Sequence, residues 1–560
     1  MKNLLVAVNA KYIHTCLAAR CLVRYVDRPD TGMLECTINE SIESVTASVY
    51  RQAPEAVLFP CYIWNIDFVL AVADDIKKIM PQVQVVLGGP QVSFDAAEIL
   101  RAYPFVDAVI RGEGEQTLKQ WLEQEKNASG IAGMTYRDAA GTIVEEEDRP
   151  LICDLDSLPF AWTQEDIEQN KNKLIYYESS RGCPFRCSYC LSSTVHSVRF
   201  RSLEKVKEEL LFFVRHGVRI VKFVDRTFNA DRKRTYELLE FLTECGGETT
   251  FHFEVAADLL TPEQIRLLQA APKGRFQLEI GVQSTNEETL EAIDRKTNLL
   301  KIEQAVRALE KNKNVHLHLD LIAGLPYEDF PSFKRSFDQV LSWRPEVLQL
   351  GFLKVLPGTK IKSQCNEFQY RYTSRPPFEI LKNQFISYGE IQVLKRVETA
   401  LERYYNSGVF SYAMRALLAK WDSPFALFDS IGMYFEQKHY DTIGISRKQL
   451  YQILSEFDPD PVLRDFLKLD YFLGQPSAPT PSWSLVPYDS ALNRKRFELL
   501  AGDPLQQQLP EYVGKPIKET VKHLHFERFC YDVLGDGEQK AHILVFDSLY
   551  GKVAVLDGGI

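Results

Sequence analysis

The sequence predicts an α/β protein in which a doubly wound parallel sheet is followed by a partial (β/α)6 barrel and a mostly helical carboxyl-terminal part. Short apolar runs alternate with amphipathic helical patterns up to about residue 125, and a second series of βα units fills residues 174–353. After residue 359 this alternation stops. A chain of 560 residues is also too long for one hydrophobic core, so several domains are expected.

The first series contains five predicted strands followed by a hairpin. The strands are expected at residues 4–8, 33–38, 56–59, 83–87 and 108–110, and the helices at 17–26, 68–80 and 116–125. Strands that are connected through helices form a parallel, Rossmann-like sheet. We therefore predict a first domain at residues 1–130, and a hairpin (134–147) with a linker at 131–170.

The second series contains six predicted strands, at residues 174–177, 220–224, 251–255, 276–280, 315–320 and 348–353. Six βα units predict a partial TIM-type barrel over residues 171–362, because the complete eight-stranded barrel typically takes ~250 residues.

Polar and apolar residues alternate along three of these strands. The polar set is His252, Glu254, Gln277, Glu279, His316, His318 and Asp320. Parallel strands are normally apolar on both faces, so the alternation favours a barrel lumen lined for a polar ligand. The candidates for catalysis or substrate contact are Glu279, His316, His318 and Asp320. A half-exposed antiparallel sheet would produce the same alternation.

The carboxyl-terminal region, residues 363–560, is predicted to be rich in α-helix with a small β portion. Helical patterns cover residues 391–433 and a segment near 519–529, a loop covers 477–484, and strands are expected at 542–546 and 552–556. This region either shapes the substrate cavity or acts as a stabilising cap.

Charge, hydropathy and cysteine spacing disfavour several classes of protein. The net charge of −10 disfavours nucleic acid as a partner. The most apolar stretch, residues 57–73, is interrupted by Asn65 and Asp67, so no membrane span is expected, and the amino terminus has no export-signal pattern. The eleven cysteines do not have the spacing of a disulfide framework, which favours reduced thiols in the cytoplasm.

The most specific local pattern is a set of three cysteines, Cys183, Cys187 and Cys190, directly after the first strand of the second series. Three thiolates can each bind one iron of a 4Fe-4S cluster and leave the fourth iron open, where the amino and carboxylate groups of S-adenosylmethionine can bind. A zinc site completed by a residue such as His196, or three buried thiols, are the alternatives.

This cysteine loop resembles that of the radical S-adenosylmethionine superfamily, which has the same spacing and an aromatic residue before the last cysteine. The resemblance continues through residues 223–229, 279–284, 321–326 and 355–359. It implies a 4Fe-4S cluster, reductive cleavage of S-adenosylmethionine to a deoxyadenosyl radical, and an electron donor such as flavodoxin or ferredoxin. The S-adenosylmethionine contacts that it implies are Tyr189, Asp225, Glu254, Gln283 and Ser284. Val224-Asp225-Arg226 replaces the usual Gly-Gly-Glu signature.

The first domain resembles the cobalamin-binding domain that precedes the barrel in class B radical enzymes. The residues that this resemblance places near cobalamin are Tyr12, His14, Cys61, Tyr62, Gly88, Gly89 and Pro90. Adjacent glycines at a strand end let the backbone approach a bulky ligand. His14 lacks the Asp and Gly of the Asp-x-His-x-x-Gly signature, so we do not expect it to bind cobalt. A Rossmann-like domain without cobalamin is the alternative.

Two further segments carry family resemblance. Residues 111–115, Arg-Gly-Glu-Gly-Glu, recur after the fifth strand of such cobalamin-binding domains, and residues 394–410 resemble an uncharacterised domain found behind the barrel. Together the resemblances imply a cobalamin-dependent radical enzyme, with methyl transfer to an unactivated carbon of a small molecule or peptide as the leading function. A cobalamin-assisted radical cyclase or rearrangement enzyme, and a non-catalytic cobalamin or redox sensor, are the alternatives.

Overall fold

The computed structural model describes residues 1–195, 197–440, 444–500, 503–535 and 537–557. The chain forms two compact units. The first comprises Met1–Pro345 and Gln349–Ile391, and the second comprises Glu346–Leu348 and Gln392–Ile560. The first sheet and the barrel therefore share one compact body.

The first sheet has seven strands. In chain order they are Asn3–Asn9, Thr31–Thr37, Ala56–Pro60, Gln84–Gly88, Ala108–Ile110, Met134–Arg137 and Ile143–Glu145. The spatial order is second, first, third, fourth, fifth, sixth, seventh; the first five are parallel and the last two form an antiparallel hairpin. The helices of this region are Leu17–Val26, Ile42–Gln52, Ile66–Ile79, Ala96–Ala102 and Gly114–Glu123. The predicted doubly wound parallel sheet is confirmed.

The central strands of this sheet are apolar on both faces because helices cover both faces. Every residue of Asn3–Asn9 is buried. Leu4, Val6 and Val8 pack into one core, while Leu5 and Ala7 pack into the core on the opposite face. The strand order reverses between the first and third strands, and ligands bind at the carboxyl edge of such a reversal point.

The second sheet has six strands that lie side by side in chain order, so the predicted partial barrel is confirmed. Barrel strands one to six are Ile175–Tyr177, Ile220–Phe223, Thr250–Val255, Phe276–Gln283, His316–Ala323 and Val347–Phe352. The pairings from strand one to strand five are parallel, which excludes the antiparallel alternative. The helices between the strands are Leu203–Arg215, Arg232–Glu244, Pro262–Ala270, Glu287–Ala292, Leu299–Glu310 and Phe330–Leu341.

From residue 388 onwards the chain is mostly helical, as predicted. The α-helices are Tyr388–Tyr404, Ser411–Lys420, Pro424–Gln437, Arg447–Phe457, Pro461–Gly474, Ser490–Leu500, Asp503–Gln508 and Ile517–Thr520. A small antiparallel sheet follows, formed by Leu524–Tyr531, Gln539–Asp547 and Val553–Asp557.

One predicted helix of this region is wrong. Residues 519–529 were expected to be helical, whereas only the short helix Ile517–Thr520 reaches this segment and Leu524–Tyr531 is a strand. This strand pairs along its length with Gln539–Asp547, and its buried Glu527 forms an ion pair with the buried Lys468 at 2.6 Å. Tertiary pairing, together with the aromatic residues of the segment, therefore outweighs its local helical pattern.

Within the described part of the chain, no helix has both the length and the apolar character required to cross a membrane.

Candidate active site

A cavity of about 720 Å³ lies in the first unit, and both sheets contribute to its wall. Cofactor and ligand sites in proteins typically measure ~300–1,000 Å³. From the first sheet, the wall includes the loops that follow the first, third and fourth strands; from the barrel, it includes Tyr176, Arg181 and Arg226. The strand-end loops of both sheets therefore enclose one space.

The segment Gly88-Gly89-Pro90 forms one side of this cavity. Gly89 has a φ of +96°, and a Cβ atom there would lie 2.8 Å from the carbonyl oxygen of Cys61. The two loops are held together because the Cys61 N–H donates to the Gly88 carbonyl oxygen at 2.7 Å. Only glycine fits at position 89, and the wall here consists of bare backbone.

Five of the seven residues predicted to be near cobalamin line the cavity: His14, Tyr62, Gly88, Gly89 and Pro90. The structure does not bring the other two, Tyr12 and Cys61, to its wall. Tyr12 is 72% exposed, and Cys61 is fully buried with its Sγ donating to the Phe59 carbonyl oxygen.

Aromatic and imidazole side chains complete the first-sheet side of the cavity. The Tyr62 ring stacks on Trp64 with 4.4 Å between ring centroids. The Nδ1 atom of His14 lies 2.7 Å from the hydroxyl oxygen of Tyr176 on barrel strand one. Burial lowers the pKa of His14, so its imidazole is neutral at pH 7. His14 thus links the first sheet to the barrel.

A buried group of charges ties the cysteine loop to the first sheet. The guanidinium of Arg181, two residues before Cys183, lies 2.9 Å from Glu178 Oε2 and 2.5 Å from Glu115 Oε1. Arg199 binds Glu113 at 2.7 Å. Glu113 and Glu115 belong to the segment 111–115 that sequence analysis noted, but its arginine partners could not be identified, because they lie more than 65 residues away in the chain.

The three cysteines lie on one loop, with Cys183 and Cys187 buried and Cys190 partly buried, and all three are free. The Sγ of Cys183 is 3.4 Å from the Thr227 hydroxyl oxygen, and Arg295 Nη1 donates to the Sγ of Cys187 at 3.5 Å. Three available thiols beside one largely buried cation form a donor set that fits an iron–sulfur cluster. Sequence analysis missed Thr227 and Arg295, because neither is next to the cysteines in the chain.

Among the residues that the structure describes, no three His, Cys, Asp or Glu side chains converge as the ligands of a single metal ion do. In a cubane cluster each cysteine binds a different iron, so that requirement does not apply to these three. His196, the residue named for the zinc alternative, lies outside the described residues.

Asp225, at the end of barrel strand two, is occupied by hydrogen bonds from the start of the cysteine loop. Its carboxylate accepts from the Ser179 N–H at 2.8 Å and from the Ser179 and Ser180 hydroxyls at 2.6 Å each. Burial raises the pKa of Asp225, and these hydrogen bonds oppose the increase. The contacts that the structure shows for Asp225 therefore hold the loop.

The other predicted S-adenosylmethionine residues have different surroundings. Ser284 donates to Glu328 Oε1 at 2.7 Å, and Tyr189 lies beside Arg295 and Cys187. Gln283 has a φ of +73°, and its buried Oε1 has no hydrogen-bond partner among the described residues. Burial raises the pKa of Glu254 to about 7, against the attraction of Arg226. The Oε1 atom of Gln283 is thus available to a ligand.

The lumen of the barrel contains a neutralised triad on strands two, three and four. Glu279 Oε2 accepts hydrogen bonds from Lys222 Nζ and His252 Nε2, each at 3.0 Å. Burial alone would raise the pKa of Glu279, but the hydrogen bond from His252 and the Lys222 ammonium outweigh it and lower the pKa to about 2. Glu279 is therefore ionised and fully paired.

The next pair along the lumen, His318 and Asp320, is less well satisfied. His318 Nε2 and Asp320 Oδ1 are 3.3 Å apart, but the two atoms lack hydrogen-bond geometry and have no other partner in the described residues. Burial and the charge of Glu279 raise the pKa of Asp320 well above its usual range. His316 lies on the same face, opposite Gln277. Unpaired buried polar atoms of this kind are suited to a polar ligand.

Three known families match the chain in succession. The B12 binding domain matches residues 3–122, the radical SAM superfamily matches residues 177–340, and a protein family of unknown function, DUF4080, matches residues 366–546. The first two ranges contain the cavity loops and the cysteine loop.

Curated relatives match the first part of the chain. The cobalamin-dependent radical SAM methyltransferase TokK of Streptomyces tokunonensis is 26% identical over 346 residues, which cover 58% of this chain and 50% of TokK. The anaerobic magnesium-protoporphyrin IX monomethyl ester cyclase of Rubrivivax gelatinosus is 24% identical over 354 residues, covering 60% of this chain and 62% of the cyclase. The chain thus spans less than two thirds of the length of these relatives.

A solved structure has the same fold over most of the chain. The cobalamin-dependent S-adenosylmethionine radical enzyme OxsB, with aqua-cobalamin and S-adenosylmethionine bound, superposes with a TM-score of 0.59 and 14% sequence identity. The superposition covers 86% of this chain and 82% of OxsB.

Proposed function

We propose that the chain is a radical S-adenosylmethionine protein with an amino-terminal B12-binding domain, and that it is a cobalamin-dependent methyltransferase acting on an unactivated carbon. The radical domain implies a 4Fe-4S cluster and S-adenosylmethionine, and the B12-binding domain supports cobalamin. The observation that carries the proposal is the single cavity, in which Gly88-Gly89-Pro90 faces the same space as Arg181 and Gly182 of the cysteine loop.

In this proposal the residues have distinct tasks. Cys183, Cys187 and Cys190 bind the cluster, and Tyr189, Glu254, Gln283 and Ser284 contact S-adenosylmethionine. Asp225 would contribute to this site indirectly, because its hydrogen bonds to Ser179 and Ser180 position the cysteine loop. When bound, these cofactors supply a carbon radical that abstracts a substrate hydrogen and a methyl group that replaces it.

The glycine loop, Tyr62 and His14 form the proposed cobalamin wall, and the exposed Tyr12 and the buried Cys61 would act only indirectly. The paired Glu279 fixes Lys222 and His252, while Asp320, His318 and His316 are left to contact the substrate. Burial and the charge of Glu279 raise the pKa of Asp320 well above its usual range, which favours the protonated form of its carboxyl group. A protonated carboxyl can donate a hydrogen bond to a substrate oxygen.

We propose four parts of the chain, at residues 1–130, 131–170, 171–362 and 363–560. We also propose an electron donor such as flavodoxin or ferredoxin, a small-molecule or peptide substrate, and a cytoplasmic location. All eleven cysteines are free thiols, which supports a reducing compartment.

The test is anaerobic reconstitution with iron, sulfide and hydroxocobalamin, followed by incubation with S-adenosylmethionine and a reductant. Formation of both deoxyadenosine and S-adenosylhomocysteine supports radical methyl transfer, and Cys183→Ala should abolish the deoxyadenosine. S-adenosylmethionine with a deuterated methyl group shows by mass whether the methyl group reaches cobalamin. If neither product forms with a fully loaded cluster, the proposal fails, and the sensor becomes the better explanation.

A radical cyclase is the second candidate, because the similarity to the Rubrivivax gelatinosus cyclase extends over 60% of this chain. A cyclase would form deoxyadenosine without S-adenosylhomocysteine and without transfer of the labelled methyl group, so the same assay separates the two functions.

A further inference from the structure

The cysteine loop is held between two other segments of the first unit. The N–H of Ser188 donates to the Ile293 carbonyl oxygen at 2.9 Å, and the Ser188 carbonyl oxygen accepts from the Ile361 N–H at 2.9 Å. These two bonds use the backbone of one loop residue, so the segments 293–296 and 359–362 lie directly against the loop. Ser188 lies between two of the proposed cluster ligands, Cys187 and Cys190, so both segments contact the cysteine loop close to them.

Two side-chain contacts reinforce this arrangement. Arg295 of the first segment donates to the Sγ of Cys187 at 3.5 Å. Lys360 of the second segment forms an ion pair with Asp294 of the first at 2.6 Å. The cysteine loop and its two neighbouring segments therefore form one continuous region of surface next to the cysteines.

This region of surface is basic. The loop carries the exposed Arg186, and the flanking segments carry the exposed Lys296, Lys360 and Lys362. Asp294 is the one carboxylate among residues 183–190, 293–296 and 359–362, all of which the structure describes. The whole chain has a net charge of −10, so this concentration of cations runs against its overall charge. We call Arg186, Lys296, Lys360 and Lys362 the basic face.

Apolar residues accompany these cations on the cysteine loop. Pro184 is exposed and Phe185 is partly exposed, and Arg295 lies 5.9 Å from the Phe185 ring. Protein interfaces combine apolar contact residues with polar and charged ones. The cations would then steer a partner of opposite charge, and the apolar residues would contribute to the contact.

We propose that the basic face docks the protein that reduces the cluster, a small carrier of one electron with an acidic surface around its redox group. This inference rests on the proposed function, since it needs the cluster at the three cysteines. In the docked complex the carrier loses one electron and the cluster gains it. An anionic flavin hydroquinone becomes the neutral semiquinone, and a reduced iron–sulfur donor becomes its oxidised form; neither change releases a proton.

The experiment uses the full-length protein with its cluster loaded and no substrate. The variant Lys296→Glu/Lys362→Glu reverses two charges of the basic face and leaves the cysteines, Arg295 and the Lys360–Asp294 pair in place. The matched control is Lys233→Glu/Lys301→Glu, which makes the same change on helices Arg232–Glu244 and Leu299–Glu310. Iron content and the electron paramagnetic resonance spectrum of the reduced cluster establish that all three proteins carry the same cluster.

Two measurements then report on docking. Stopped-flow absorbance gives the rate of cluster reduction by flavodoxin hydroquinone and, in a second arm, by a reduced bacterial ferredoxin. Calorimetry gives the affinity of each oxidised carrier for the loaded protein. Photoreduced 5-deazariboflavin, a small uncharged reductant, reports whether the cluster can still be reduced without docking.

We expect the basic-face variant to lose about tenfold or more in both the second-order rate constant and the affinity for at least one carrier. The 5-deazariboflavin rate should stay at the wild-type value, and the control should behave as wild type. Raising the ionic strength should slow the wild type more than the variant. Unchanged carrier rates in the variant, or an equal loss in the control, would overturn the proposal. Failure of 5-deazariboflavin to reduce any cluster in the wild type would instead refute the proposed function.

Discussion

The guanidinium of Arg295 donates a hydrogen bond to the sulfur of Cys187 at 3.5 Å, and the two residues are 108 positions apart in the chain. Arg295 also donates to the Gly281 carbonyl oxygen at the carboxyl end of barrel strand four. The strand thereby places a largely buried positive charge beside one of the three cysteines. Hydrogen bonds and charges near cluster sulfurs are a principal means by which proteins set cluster potentials.

Replacement of Arg295 should lower the reduction potential of the cluster. A nearby cation stabilises the reduced, more negative cluster, so Arg295→Gln should shift the midpoint potential downwards by an amount on the order of tens of millivolts. Redox titration followed by electron paramagnetic resonance measures the shift. Arg275→Gln is the matched control, since Arg275 is also buried and contacts a cysteine sulfur, that of Cys245 at 3.7 Å. Equal potentials in the wild type and Arg295→Gln would contradict this role.

Alanine at position 89 should be far more harmful than alanine at position 88. At Gly89 the added Cβ meets a carbonyl oxygen at 2.8 Å, and φ is +96°; at Gly88 the nearest atom would be 3.5 Å away, an ordinary contact. We expect Gly89→Ala to cost about 2 kcal/mol or more in unfolding free energy, and Gly88→Ala under about 1 kcal/mol. Urea unfolding tests this comparison.

The same two variants separate folding from cofactor binding. Both alanines place a methyl group at the cavity wall, so both should weaken the binding of hydroxocobalamin, measured by absorbance titration. A Gly88→Ala protein that is stable and binds hydroxocobalamin like the wild type would argue against the proposed cobalamin wall.

Loss of Arg181 should affect both sides of the cavity. Arg181→Met leaves the buried Glu115 and the partly buried Glu178 without their cation, and loss of the cation of a buried pair typically costs about 3–5 kcal/mol. Arg181→Lys keeps the charge but not the forked geometry, so it should recover only part of the stability. Denaturation and hydroxocobalamin affinity are the measurements.

A double-mutant cycle tests whether Glu115 is the partner of Arg181. If Arg181 acts through Glu115, then Glu115→Gln should cost much less in the Arg181→Met background than in the wild type. Additive losses would show that the two side chains do not act as a pair.

Two neighbouring glutamates of the lumen, Glu254 and Glu279, should contribute to the pH dependence of stability with opposite signs. Glu254 has a pKa of about 7 in the folded protein and 4.5 as its ordinary value. Between these values the folded state retains a proton that the unfolded chain has lost, so Glu254 lowers stability by about 1.4 kcal/mol per unit as pH rises. Glu254→Gln should therefore gain stability relative to wild type between about pH 5 and about pH 8.

Glu279 should show the opposite behaviour. Its pKa of about 2 lies below the ordinary 4.5, so its ionised form stabilises the folded protein above pH 4.5, and this contribution is lost as pH falls towards 2. Glu279→Gln should be less stable than wild type at neutral pH. Urea unfolding at several pH values measures both variants, and parallel pH profiles for the two would show that their environments are not as different as the structure indicates.

The periodicity of apolar residues in the sequence predicted much of the fold. The strand Ala108–Ile110 and the helix Leu17–Val26 have the predicted bounds, because a parallel sheet covered by helices requires continuous apolar strands and amphipathic helices. The strand Leu524–Tyr531 was not predicted, since its pairing with Gln539–Asp547 is tertiary. A local pattern contains no information about such a partner.

Within the candidate site, sequence motifs identified residues but not their contacts. The hydrogen bonds from Ser179 and Ser180 to Asp225 could not be inferred, because the two ends are about 45 residues apart. The same limit applies to the pair of Arg181 with Glu115, because Glu115 belongs to the first sheet's region of the chain. Contacts between distant segments depend on how the two sheets pack, and this is not encoded in any short motif.

The ion pairs of Arg181 with Glu115 and of Arg199 with Glu113 also limit where the chain can be divided into fragments. A B12-binding domain cut out at its family boundary would expose two carboxylates whose counterions remain in the other fragment. The same mismatch would arise in a chimera that grafts this domain onto a different barrel. Exchange of cofactor domains between relatives should therefore succeed only when the donor glutamates and the recipient arginines are transplanted together.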